Sequence, residues 1–234
     1  MSLCHPDEGS VSCGACCGLF NLKLETNGYK TLLFERTLNF HSSVNFNERH
    51  TIAAYRQDRE KIEQSFLKND ETTYNCPYLG YVDKKSSKIG CMIHPIFTGD
   101  PKSQNFSFYG TSICQAYDCK NKEHLASTLI ESFINRVARD SVEYSHLASD
   151  HILFFVIQNW LSIKSWSLSE GFLKFESLIL EILELRLKKI SKYFPTSFEI
   201  RFENFISEEE IYSYFYELLG EDMTAKMKNA PARV

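Results

Sequence analysis

The chain has 234 residues, with 26 Lys plus Arg against 30 Asp plus Glu for a formal net charge of -4, and 43% hydrophobic, 24% charged and 14% aromatic positions. That composition excludes a disordered chain, and the length suits one large domain or two small ones. No long run of Lys or Arg offers the phosphate-tracking face that nucleic-acid binding requires, so nucleic acid is not expected as a partner.

Met1 to Asp7 shows no positive segment leading into an apolar run, so no secretory signal is expected and a cytoplasmic location follows. In the next stretch, Phe20, Leu22 and Leu24 alternate like a strand before Asn27-Gly28, whereas Leu32 to Phe40 fits helix or strand equally well. Phe46 to Asn69 is predicted helical, because Ile52, Tyr55, Ile62 and Phe66 recur at helical intervals and Asn45 or Asn47 can cap its start. Beyond it, Pro77, Gly80, Gly90, Pro95, Gly99, Pro101 and Gly110 punctuate the chain as loops.

Four helical stretches are predicted afterwards: about Glu123 to Ser145, Ala148 to Ser165, Ser169 to Phe194, and Ser207 to Met227. Ile152 to Ile163 is the most apolar segment but falls short of the roughly 20 residues of a membrane span, so it reads as a buried core helix and no membrane partner is expected. In the third stretch Ser169 can cap the start, Phe172, Phe175, Ile179, Ile182 and Ile190 form one apolar stripe, and Glu184 and Lys188 are spaced as a favourable pair. Pro195 ends it. Phe198, Ile200 and Phe202 then alternate like a short edge strand, and Ser207 with Glu210 forms a capping box for the fourth helix.

All eight cysteines lie before residue 120. The half up to Lys122 carries 14 basic and 13 acidic residues, the remainder 12 and 17, so charge steering dominates neither half. The expected organisation is mainly α: a loop-rich cysteine-cluster metal domain over residues 1–122, packed on a C-terminal helical bundle over residues 123–234.

The cysteines fall into three groups. Cys13-Gly-Ala-Cys16-Cys17-Gly presents a C-x-x-C pair between glycines that let the backbone turn around an ion. Adjacent Cys16 and Cys17 point apart in most backbone conformations, which hints at a second ion, a bridged site or a division of labour. Cys76-Pro-Tyr-Leu-Gly with Gly90-Cys91-Met-Ile-His94-Pro95, and Cys114-Gln-Ala-Tyr-Asp-Cys119, each place sulfur beside a tight turn, where backbone N–H groups can stabilise a thiolate. A disulfide framework suits short secreted chains rather than this one. Cysteines acting as small apolar residues would also be spread through the helical half. A metal or iron–sulfur site is therefore the favoured reading. His94 is a candidate mixed ligand, although a lone His between Ile and Pro is more often structural; His5 is a weaker one, and Cys4 sits in a terminus expected to fray.

In order and spacing these blocks resemble the CxxCxxCC family, a zinc- or iron-chelating domain family, over roughly residues 13 to 119. The chain departs from that pattern by carrying His94 where Tyr is common, by lacking the Arg-Pro that follows, and by inserting a loop from Ile96 to Ile113. The resemblance implies chelation by Cys13, Cys16, Cys17, Cys76, Cys91, Cys114 and Cys119. A domain of this kind occurs in flagellin lysine N-methylase, which supplies an alternative reading as a protein lysine N-methylase-like or redox enzyme using the metal centre. Neither a glycine-rich cofactor loop nor a C-x-x-x-C-x-x-C triplet accompanies it. A third reading is a protein-interaction adaptor with structural zinc, in which the run Tyr212 to Tyr216 spans more than one helix face.

Zinc and iron–sulfur clusters both accept all-thiolate shells. Seven implied ligands exceed the four that one zinc or one cubane takes, so some sulfurs are spare or the site is polynuclear. A reduced compartment inclines the choice toward iron or an iron–sulfur cluster, with zinc close behind.

Overall fold

The computed structural model describes residues 3–6, 11–117, 119–190 and 207–233. Among them the chain is mainly helical, with twelve α-helices and one two-stranded sheet. No helix among the described residues is long and apolar enough to cross a membrane.

The strand expected around Phe20 to Leu24 is absent. Leu19–Asn21 is a 3₁₀ turn and Leu22 makes only an isolated bridge to Lys68. Asn27-Gly28, which follows that stretch, lies in the first turn of helix α1 (Thr26–Ser43). In α1 the buried residues Tyr29, Leu32, Leu33 and Phe40 recur at helical spacing, joined on the same face by Arg36, which settles the ambiguous Leu32 to Phe40 stretch as helix. Helix α2 (Arg49–Glu63) is shorter than expected, and neither Asn45 nor Asn47 caps it by side chain; instead Asn45 exchanges bonds with the Thr51 hydroxyl.

β1 (Leu79–Tyr81) and β2 (Ile89–Cys91) pair antiparallel, with Leu79 opposite Cys91 and Gly80 opposite Gly90. Asp83 closes the connection by accepting from the Ser87 and Lys88 amides at 2.9 and 2.6 Å. The predicted inserted loop is largely helical: α3 (Pro95–Thr98), a 3₁₀ turn at Ser103–Phe106, and α4 (Gly110–Ala116), which contains Cys114.

Three of the four long stretches predicted in the second half are broken. α5 (Lys120–Glu123), α6 (Ser127–Val137) and α7 (Ser141–Ser149) replace the first; Asp140 restarts the helix by accepting from the Val142 and Glu143 amides. α8 (His151–Ile163) is the expected core helix, with Trp160 fully buried and its indole N–H donating to the Met227 carbonyl at 3.1 Å. The third stretch divides at Phe175 into α9 (Leu168–Lys174) and α10 (Glu176–Leu187), and its N-cap is Ser167 rather than Ser169. The apolar stripe from Phe172 to Ile190 is buried as expected, each large side chain contributing about 1.5–3 kcal/mol. Glu184 and Lys188 meet through backbone only, Lys188 capping the helix end. Ser207 and Glu210 form the capping box of α11 (Glu208–Leu219), and Gly220, at φ +97°, separates it from α12 (Glu221–Asn229). Pro195 and the Phe198 to Phe202 strand lie outside the described residues.

Three clusters of buried side chains hold these elements. The largest unites α6 to α12 and also takes in Leu3 and Val11. A second combines Phe20, Leu32, Leu79 and Ile89 with Val142 and Ile190. Phe40, Ile52, Tyr55, Cys76, Tyr78 and Ile93 make a third. The first two therefore run across the boundary at residue 122. Helix α7 is the seam: the Ser12 amide donates to the Ser141 hydroxyl and the Gly14 amide to the Ser145 hydroxyl, both at 2.9 Å.

Candidate metal centre

None of the eight cysteines is in a disulfide. The 3₁₀ turn Ala15–Cys17 carries the first group, entered from Gly14 and left through Gly18 at φ +77°. Gly18 is required: a Cβ there would collide with the Tyr74 carbonyl oxygen, and an L side chain disfavours that φ. Gly14 packs against the hairpin, with the place of a Cβ only 2.7 Å from Leu79 Cδ1 and 2.9 Å from Ile89 Cδ1. The Cys76 amide donates to the Cys17 carbonyl at 2.9 Å, which sets the second group beside the first. Strand β2 presents Cys91, α4 presents Cys114, and Cys119 caps the start of α5.

The thiols of Cys16 and Cys76 both bear on the ionisation of Cys17. Those effects, followed by burial, hold the Cys17 thiol well above its ordinary range and thus protonated. Cys76 is brought down to about 7, first by the Cys17 thiol, against burial, with further help from the Ser107 hydroxyl, the Tyr78 amide and the Arg36 charge. Its sulfur stands 3.6 Å from the Ser107 oxygen. Burial, then the charge of Cys76, pushes Cys91 up to about 12, opposed by the Ile93 amide and by Gln104, whose Nε2 lies 3.9 Å from the sulfur. Burial also raises Cys13, Cys114 and Cys119.

A common motif runs through these positions. The Ala15 amide lowers the charge cost at Cys13, Tyr78 that at Cys76 and Ile93 that at Cys91, each two residues further along, while at Cys119 the Lys122 amide does so ahead of that of Asn121. An amide donated from residue i+2 to sulfur i is a turn that stabilises thiolate charge and fixes the sulfur's direction.

Of the seven cysteines implied by the sequence resemblance, Cys17 and Cys76 are tied by the backbone bond given above. Cys4 is held as well: the Cys13 amide donates to its carbonyl at 2.9 Å, the Tyr144 hydroxyl holds the Leu3 carbonyl at 2.8 Å, and Cys4 acts electrostatically on Cys13. The expectation of a frayed Cys4 is corrected by that long-range anchoring, for which its sequence neighbourhood gave no sign. Ser107 and Gln104, also missed, lie in the inserted segment and are polar residues without a motif. His94 is exposed and its Nδ1 accepts from the Ile96 amide at 3.2 Å, an N-cap role. His5 is exposed as well. Among the described residues no group of three or more Cys, His, Asp or Glu side chains is placed so that it could hold a metal ion.

Comparison with protein-family models, with curated proteins and with solved structures finds no match to this chain.

Proposed function

We propose that this chain is a metal-binding protein whose clustered cysteines hold iron, as an ion or an iron–sulfur cluster, or zinc. The observation that supports the reading is the backbone pairing of cysteine segments far apart in sequence, the Cys76 amide on the Cys17 carbonyl at 2.9 Å, with the Ser107 oxygen 3.6 Å from the Cys76 sulfur. Uncompensated burial of so many thiols in one place raises the cost of every ionisation there; a thiophilic cation removes that cost by binding the thiolates directly.

The donor set fits such an ion chemically, since all-thiolate shells suit zinc and iron–sulfur clusters alike. Cys13, Cys16, Cys17, Cys76, Cys91, Cys114 and Cys119 are the proposed ligands, gathered by rotation about their side-chain bonds. The amides orient the sulfurs, and the hairpin and α7 hold the loops from behind. Once bound, the ion ties together segments far apart in the chain.

Anaerobic purification followed by elemental analysis and an absorbance spectrum tests this. Stoichiometric iron with inorganic sulfide and broad absorption near roughly 400 nm assigns a cluster; stoichiometric zinc in a colourless protein assigns zinc. Protein that retains no metal and takes up none when titrated under reducing conditions overturns the reading.

A further inference from the structure

Helix α7 is covered in two ways. Tyr144, Leu147 and Ala148 lie in the large core with α8 and α10. The segment of residues 12–21 is fastened to the same helix by single hydrogen bonds, the Ser12 and Gly14 amides on the Ser141 and Ser145 hydroxyls at 2.9 Å, and to the hairpin by the Ser12 hydroxyl on the Ile89 carbonyl at 2.6 Å. His146 sits where the two meet. Phe20 closes over its ring edge-on, with centroids 5.2 Å apart, and Tyr29 of α1 backs Phe20 at 5.3 Å. The side chain is fully buried, yet neither ring nitrogen has a hydrogen-bond partner. Buried polar groups are nearly always paired, so an imidazole left bare on both nitrogens stands out as a point of stored instability.

The charges around the ring offer nothing to a proton placed on it. Arg186 of α10 acts on it as a like charge and holds Asp150 at 2.6 Å as its own counter-ion. At the start of α7, Asp140 is paired with Lys30 of α1 and Glu143 with Arg139. The thiols of Cys16 and Cys17 on the first 3₁₀ turn, Lys120, Lys122 and Glu123 of α5 and Glu131 of α6 supply no counter-charge to it.

We propose that His146 is an acid-sensitive latch, whose protonation frees residues 12–21 from α7 while the helices behind α7 stay packed. An imidazolium there is hydrated by lifting Phe20 and breaking the two serine bonds. Reaching it from the other side requires parting α8 and α10 and the buried Arg186–Asp150 pair. Folded chains open along the least stable unit first. In the closed form burial, helped by Arg186, keeps the ring neutral, whereas the opened ring takes a proton near its ordinary 6.5. Each pH unit below 6.5 therefore favours opening about tenfold.

Amide hydrogen exchange of the full reduced chain between pH 7 and 5, read by mass spectrometry and corrected for intrinsic exchange rates, tests this. In wild type the protection of residues 12–21 is expected to fall up to about thirtyfold by pH 5, with α8 and α10 unchanged. In His146→Leu, and in His146→Gln should the first variant not fold, protection of that segment is expected to be the same at both pH values. The inference is overturned by wild-type protection of residues 12–21 that does not change with pH, by an equal loss in α8 and α10, or by an equal loss in the variants. The wild-type profile decides by itself if neither variant folds.

Discussion

Arg36 on α1 and Glu63 on α2 form a buried ion pair, Nε to Oε1 at 2.9 Å, and the same guanidinium donates to the Cys76 carbonyl at 3.0 Å. Arg59, one turn before Glu63, donates to the same carboxylate at 2.9 Å. A single carboxylate thus meets two buried cations beside the most acidified sulfur of the cluster. Glu63→Gln is expected to destabilise the protein by about 3–5 kcal/mol, because it leaves guanidinium charge buried without its counter-ion; urea unfolding of the apo-protein measures it.

The same pair makes an acid-dependent contribution. Burial pushes the Glu63 carboxyl up, but the hydrogen bond and charge of Arg36, then of Arg59, overcome burial and hold it below its ordinary value of 4.5. The pair's contribution is complete above that value and is lost as pH falls through the lower folded one. Wild type is expected to lose stability more steeply than Glu63→Gln below about pH 4.5, as read from urea midpoints across an acid series.

His146 on α7 is fully buried, edge-on to Phe20 with ring centroids 5.2 Å apart, and neither of its ring nitrogens has a hydrogen-bond partner. Burial, helped by the Arg186 charge, drops its pKa well below 6.5. It stays neutral in the fold and takes a proton only on unfolding. Its share of stability is therefore present above 6.5 and declines on acidification, by about 1.4 kcal/mol per pH unit. His146→Leu is expected to be neutral to slightly stabilising near pH 7 and to flatten the profile between pH 6.5 and 5. An unchanged slope in the variant would contradict this.

Gly18→Ala is expected to cost about 1–3 kcal/mol for the left-handed backbone alone, with the collision at the Tyr74 carbonyl added. Since Gly18 follows Cys17 directly, metal content should fall with the melting temperature. Gly99→Ala supplies the control: its φ is +68° but nothing lies near the place of a Cβ, so it should lose stability from backbone strain without losing metal.

On the proposed function, a chelator under reducing conditions is expected to lower the thermal midpoint markedly, because a structural thiolate site supplies on the order of 10 kcal/mol of folding free energy. Calorimetry of loaded and stripped protein compares the two. Coincident curves would rule out a structural role for the ion.

The parts of the fold legible in the sequence are those decided locally. Ser207 and Glu210 cap α11 through bonds three residues apart, and the stripe from Phe172 to Ile190 is a property of one stretch. The breaks were not legible, because apolar spacing continues across Phe175 and across Ala138 to Asp140, while the chain direction there is set by packing onto other helices. Around the cysteines, the tight turn at Gly18 was readable from the glycines of the first cysteine segment. The attachment of Cys4 was not: it runs through the Leu3 carbonyl and the Tyr144 hydroxyl, 141 residues apart, and neither residue carries a local mark of the other.

The bonds from the Ser12 and Gly14 amides to Ser141 and Ser145 impose an order on biosynthesis. The segment bearing the first cysteines leaves the ribosome early, yet the hydroxyls that receive its amides are translated about 130 residues later. A nascent chain stopped before Ser141 has every thiol already made but lacks the template against which Cys13 to Cys17 are laid down. The backbone around Cys13 therefore gains its hydrogen-bond partners only from a helix encoded past the last cysteine codon.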